Sequence, residues 1–298
     1  MSAELSALPH PDFSRTERVP GAAKEDPILV ADGVTRTFGG VRAVDVGHLE
    51  VPRHAITALI GPNGAGKTTL FNLLTGFDRP DGGTWTFEGR RVERLGAARL
   101  ARAGMVRTFQ LTKALSRMTV LDNMRLGAKD QLGERLGPAL VPWMWSGREA
   151  EVTARATELL ARFKLDTKMN DFAGSLSGGQ RKLLEMARAL MTEPKMIMLD
   201  EPMAGVNPAL TQSLLGHITD LRDRGMTVLF VEHDMHMVRH ISDWVVVMAE
   251  GRIVAEGPPR SVMNDQAVVD AYLGSHHDTD LGDDALLQDQ PETEQRGS

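Results

Sequence analysis

Residues 55–70 read Ala55-Ile56-Thr57-Ala58-Leu59-Ile60-Gly61-Pro62-Asn63-Gly64-Ala65-Gly66-Lys67-Thr68-Thr69-Leu70. The apolar, β-branched run Ala55 to Ile60 predicts a buried strand. A glycine-rich turn follows, and a helical pattern resumes through Leu70, Phe71, Leu73 and Leu74. The turn fits G-x-x-x-x-G-K-[ST], the phosphate-binding loop, in the strand–loop–helix setting that this pattern needs. Its glycines let backbone N–H groups converge on phosphate oxygens where a Cβ would obstruct them. The helix that starts there adds unpaired N–H groups and the positive end of its dipole. Gly61, Pro62, Asn63, Gly64, Ala65, Gly66, Lys67, Thr68 and Thr69 are therefore expected to cradle a nucleoside triphosphate. Lys67 would reach the β/γ-phosphates, and the Thr68 hydroxyl would ligate Mg²⁺.

Composition sets the outer limits. The chain has 298 residues, 42% hydrophobic and 25% charged, as expected of a globular protein with room for a core and a subdomain. The absence of cysteine excludes a disulfide framework and thiolate metal sites, and it fits a reducing cytosol. No run approaches eighteen apolar residues, and the acidic N-terminus has no apolar core of a signal peptide. A net charge of −6 argues against nucleic acid as the main partner.

Outward from the loop, residues 1 to about 26 are polar and aperiodic, and they read as a flexible arm. Ile28 to Val51 alternates β-rich segments with glycines, the pattern of antiparallel strands. There Phe38, before Gly39-Gly40, is either an adenine-stacking aromatic or a core phenylalanine. Thr84 to Phe87 and Arg90 to Val92 predict a hairpin. Residues 111 to about 190 are mostly helical in spacing, with helices at Leu121–Leu126, Glu149–Phe163 and Gln180–Met191. From residue 195, strands and helices alternate up to a single helix over Arg260 to Leu273, which implies a parallel sheet. The end, 275–298, reads as an acidic, disordered tail.

Two further motifs carry chemistry. Met196-Ile197-Met198-Leu199 ends in Asp200-Glu201-Pro202, where Asp200 is placed to hold Mg²⁺ and Glu201 to deprotonate the attacking water. Leu176-Ser177-Gly178-Gly179-Gln180-Arg181 precedes a helix, with Ser177 a suitable N-cap and the glycines leaving N–H groups open to a second anion. His233, His236 and His240 have helical spacing, but an imidazole triad without carboxylates is a weak metal site. Met186, Met191, Met196, Met198 and Met203 read as core filler.

LSGGQ together with GPNGAGKTT, Gln110 after Phe109, MLDEP and His233 resembles the nucleotide-binding subunit of ABC transporters, over about residues 28 to 274. The resemblance implies a P-loop NTPase α/β fold over 27–274, with a parallel sheet core, an antiparallel β subdomain and a helical subdomain at about 111–190. It implies an ATPase using ATP and Mg²⁺. In such proteins two subunits stack head to tail, so that Leu176, Ser177, Gly178, Gly179 and Gln180 would act in trans on the partner's ATP. Gln110 matches the glutamine that contacts Mg²⁺ and joins the lobes, and His233 matches the γ-phosphate sensor. Phe38 matches the adenine-stacking aromatic, usually tyrosine. Asn207 stands where many members have aspartate.

Phe38-Gly39-Gly40, Arg107-Thr108-Phe109-Gln110, Glu232-His233-Asp234-Met235 and Ala271-Tyr272-Leu273-Gly274 resemble the ATPases of branched-chain amino acid importers. Trp244 replaces an arginine common there. The implied partners are integral membrane permeases, a second ATPase subunit (identical or paralogous) and, indirectly, a solute-binding protein. The implied location is the cytoplasmic face of the cell membrane. Urea or lipopolysaccharide systems are the nearest alternatives. A soluble ABC-type ATPase would need tandem cassettes or a coiled-coil insertion, and a P-loop kinase would not explain LSGGQ.

Overall fold

The run Ile56–Ile60 forms a strand buried at every residue, inside a six-stranded sheet. The computed structural model describes residues 11–108, 116–129 and 146–273. Gln110, Phe109, Gly274, the Pro- and Trp-containing stretch 136–145, residues 1–10 and the tail 275–298 lie outside the described residues.

Strands β1 (Pro27–Phe38) and β2 (Val41–Pro52) form a long antiparallel hairpin turned by Gly39-Gly40. β3 (Ile56–Ile60) leads through the glycine loop into α1 (Lys67–Leu74). β4 (Gly82–Phe87) pairs with β1 and with the short β5 (Arg90–Arg91), giving an antiparallel sheet in the order β2-β1-β4-β5. Helix α2 (Ala97–Ala103) and β6 (Met105–Arg107) follow, then the helix α3 (Val120–Leu126). With β7 (Met196–Asp200), β8 (Thr227–Val231), β9 (Trp244–Ala249) and β10 (Arg252–Gly257), the larger sheet runs β10-β9-β3-β8-β7-β6. Its pairs are parallel except the last hairpin, β9–β10.

Alternation along these strands divides the core in two. Ile56, Ala58, Ile60, Ile197, Leu199, Val228, Phe230, Val245 and Val247 face the helical side. Leu59, Met196, Met198, Leu229, Val231, Val246 and Met248 face α1 and the antiparallel sheet. Successive side chains of a strand point to opposite faces, so unbroken apolar runs mark strands covered on both sides. The helical side receives the amphipathic helices Ser146–Arg162 and Gly178–Leu190 as well as α3. Each fully buried Val, Leu or Met side chain contributes about 1.5–3 kcal/mol there.

Two expectations are corrected. The single helix over Arg260 to Leu273 is two helices, Pro259–Val262 and Gln266–Leu273. Asp265 takes the amide of Ala267, and the Asn264 side chain donates to the Arg260 carbonyl, so local side chains compete with helix continuation. The presumed flexible arm is docked from residue 11 onward. Phe13 packs on Trp244 with ring centroids 5.0 Å apart, and Lys24 Nζ pairs with Glu256 Oε2 at 2.6 Å with both side chains fully buried. Glu256 also accepts from the Ala22 amide and from Trp244 Nε1. Burial lowers the Lys24 pKa, and Glu256 partly opposes this. A polar composition concealed one aromatic and one lysine for which the core provides partners.

Candidate nucleotide site

The loop after β3 is held by backbone. Gly61 has φ +147, and a Cβ there would lie 2.0 Å from the Met248 carbonyl oxygen. Gly66, the N-cap of α1, has φ +95, and its Cβ would meet the Ala43 carbonyl oxygen at 2.2 Å. These two glycines are needed for close approach as well as for their dihedrals. No side chain caps α1 and no acidic residue lies in its first turn, an arrangement whose N–H groups and dipole suit an anion. The Lys67 ammonium donates to the carbonyls of Gly61 (2.6 Å) and Pro62 (2.9 Å). Its pKa is lowered by burial, and the charges of Glu201 and Asp200 pull it back up. Tyr272 is half-buried, and this burial raises its pKa, an effect that the Gly61 backbone partly opposes.

Register places the remaining groups on the same edge of the sheet. Leu59 pairs with Val231, and Val231 with Asp200, across the adjacent parallel strands β3, β8 and β7. Gly61, His233 and Glu201 thus emerge together at the carboxyl ends of three neighbouring strands, where parallel sheets bind ligands. Glu201 adopts φ +44, uncommon for a non-glycine residue. Its amide donates to the Val231 carbonyl, and its carbonyl accepts from Lys182 Nζ at 3.0 Å. Buried Glu232 accepts from the amides of Met203 (3.0 Å) and His233 (3.3 Å), and burial raises its pKa. The His233 side chain is 66% exposed and free to meet a ligand. Among the described residues, no group of three His, Cys, Asp or Glu side chains could hold a metal ion, the His233, His236 and His240 set included. The Thr68 hydroxyl and Asp200 carboxylate are hard oxygen donors, the chemistry that suits Mg²⁺ with water completing its shell.

The LSGGQ stretch forms the start of the helix Gly178–Leu190. Ser177 and Gln180 form a capping box, Gln180 N donating to Ser177 Oγ (3.3 Å) and Ser177 N to Gln180 Oε1 (3.0 Å). Leu176 is buried as an anchor. The two glycines differ. Gly178 is exposed, and its Cβ would meet nothing within 4 Å. Gly179 is buried, and its Cβ would lie 1.7 Å from Leu210 Cδ2 of the helix Pro208–Asp223. Gly179→Ala must displace the half-exposed Leu210 side chain, which offsets the gain in helix propensity, so it should be less stable than Gly178→Ala by about 1 kcal/mol in urea melts. Gly178→Ala should be neutral or stabilising by up to about 1 kcal/mol, so equal effects would contradict this division. Asn207 caps the helix Pro208–Asp223 through Leu210 N, a task asparagine and aspartate perform equally. Beside Gly178 lies a cavity of about 350 Å³, lined among others by Lys182, Glu185, Asp200 and Gly205. Among the described residues lining it, none belongs to 61–69.

Phe38 is 47% exposed at the tip of β1, with the Arg36 guanidinium 4.5 Å from its ring centroid. That excludes the core reading. The hairpin that carries it touches the loop through Ala43 and Gly66. Sequence reasoning gave no role to Lys182, Glu232, Tyr272 or the side chain of Arg107; Lys182 meets Glu201, Glu232 meets Met203 and Arg107 meets Asn72 and Asp200, all distant in the chain.

These features define a P-loop domain built to bind a nucleoside triphosphate. The sequence profile of a family described as ABC transporter matches residues 44–204. Over 248 residues the chain is 40% identical to the probable branched-chain amino acid transport ATP-binding protein LivG of Archaeoglobus fulgidus, covering 83% of this chain and 96% of that one. It is 42% identical over 250 residues to the high-affinity LivG protein of Salmonella typhimurium, covering 83% and 98%. The solved structure of a nucleotide-free ATP-binding cassette from an ABC transporter superposes with a TM-score of 0.73 at 39% identity, over 83% of this chain and 98% of that one. The chain belongs to the ABC transporter family, as an ATP-binding subunit and ATPase homologous to those of branched-chain amino acid transporters. A second profile, for the branched-chain amino acid ATP-binding cassette transporter, matches residues 252–278.

Proposed function

We propose that this chain powers an importer of branched-chain amino acids by closing and reopening an ATP-bound dimer. The observation that carries the chemical part is the shared edge at which Gly61, Glu201 and His233 leave three adjacent strands. Residues 61–69 hold the phosphates, with Lys67 exchanging the Gly61 and Pro62 carbonyls for phosphate oxygens. Thr68 and Asp200 would hold Mg²⁺, with Gln110 joining them by resemblance. When bound, this ion neutralises charge on the β/γ-phosphates. Glu201 takes the proton of the attacking water, His233 meets the γ-phosphate, and Phe38 stacks on the adenine. Leu176 to Gln180 act on the ATP of a second ATPase subunit. ATP stabilises the closed pair by differential contact, and hydrolysis removes those contacts. Permease subunits at the cytoplasmic face of the membrane receive the motion, and a solute-binding protein delivers the cargo.

The cargo follows from the profile match at 252–278 and from the named relatives. It is tested by reconstituting the chain, with the membrane subunits that co-purify with it, into vesicles loaded with MgATP and supplied outside with the solute-binding protein. ATP-dependent uptake of labelled leucine, isoleucine or valine is the expected result. Uptake of urea alone, or no ATP-dependent amino acid uptake, would overturn the assignment.

A further inference from the structure

We infer that Arg107 is a positioning residue that sets the spacing between the two Mg²⁺ donors, Thr68 and Asp200. The inference rests on the metal role proposed for those two residues. Arg107 ends β6, the edge strand beside β7, and its side chain is only 8% exposed. Nη2 donates to Asp200 Oδ2, and Nη1 donates to Asn72 Oδ1 at 2.6 Å, with Thr75 Oγ1 at 3.5 Å. Asn72 lies four residues after Thr68 on α1, so both side chains share one face of that helix. One guanidinium therefore ties the helix face that bears Thr68 to the strand end that bears Asp200. The ring of Phe71 backs it, 5.7 Å from centroid to guanidinium carbon, with Phe77 at 5.9 Å.

The geometry suits arginine alone. Its planar fork reaches two acceptors at once with fixed separation, whereas a lysine is a single point of charge. By occupying Oδ2, Arg107 leaves Oδ1 as the oxygen that can meet the ion. Groups behind a ligating carboxylate orient it and raise metal affinity by about 10–100-fold. A cation on Asp200 also competes electrostatically with a second cation. The link to Asn72 favours positioning, since simple competition gives no role to a bond with α1.

The test measures metal and nucleotide separately in the full-length chain. Binding of a fluorescent ATP analogue is titrated in EDTA and then against Mg²⁺, and Mn²⁺ binding in the presence of the analogue is followed by electron paramagnetic resonance. Arg107→Gln should leave metal-free nucleotide affinity unchanged and raise the Mg²⁺ and Mn²⁺ half-points about 10–100-fold. Arg107→Lys should be nearly as deficient. Asn72→Ala, which keeps the ion pair and cuts the helix link, should raise the half-points partway. Unchanged or lowered half-points in Arg107→Gln, or an unaffected Asn72→Ala, would overturn the inference. Asp200→Asn, run in parallel, separates the two levels: if it too leaves the half-points unchanged, the metal role of Asp200 is at fault.

Discussion

Glu201→Gln should bind ATP with near wild-type affinity and lose about 10²–10⁴-fold in kcat, the range that a positioned general base supplies. The amide fills the same volume, so the strained backbone at φ +44 keeps its two anchors, the Val231 carbonyl below it and the Lys182 ammonium on its own carbonyl. Phosphate contacts come from 61–69 and are untouched. Only the ability to accept a proton disappears, which should leave the ATP-bound dimer trapped and detectable by gel filtration. Asp200 is proposed to hold the metal ion, and Glu232, another carboxylate nearby, is buried with both its oxygens holding backbone amides. Both are therefore poor substitute bases. Steady-state hydrolysis at the wild-type rate in Glu201→Gln would show that the water is activated elsewhere.

How much of this was readable beforehand depends on where each signal resides. The β3–loop–α1 unit was legible because its chemistry is local: an apolar run, glycines that tolerate backbone contact, and a lysine at a helix start. Strands β7, β8 and β9 were legible because burial on both faces leaves unbroken apolar runs. β6 left no such mark, since three residues at a sheet edge give no periodicity. Helix α2 buries only Leu100 between two glycines and was equally silent. The docking of residues 11–26 depends on Trp244, Glu50 and Glu256, all far along the chain. The same holds at the site. Motif residues announce themselves, whereas Arg107, Glu232 and Tyr272 matter through tertiary partners. Ser177 lay between the two cases: its capping role was legible, but only the packing against Leu210 separates Gly179 from Gly178.

That separation allows the trans arrangement to be tested without damaging the fold. Gly178→Asp places a carboxylate at the first helical position, exposed and unobstructed. It faces the positive end of the helix dipole, which should leave stability unchanged or raise it by about 0.3–1 kcal/mol. In the closed dimer the same charge would oppose the γ-phosphate, and hydrolysis should fall to background. Lys67→Ala should also be inactive, for loss of the phosphate-binding ammonium. Mixing the two inactive proteins is the informative step. In a mixed dimer one composite site carries both lesions and the other carries neither. Where the pair consists of two copies of this chain and half the dimers are mixed, activity should return to roughly a quarter of wild type. If each signature served the phosphate loop of its own chain, every site in the mixture would retain one lesion. No activity would then return, and the head-to-tail reading would fail while both single-site assignments stood.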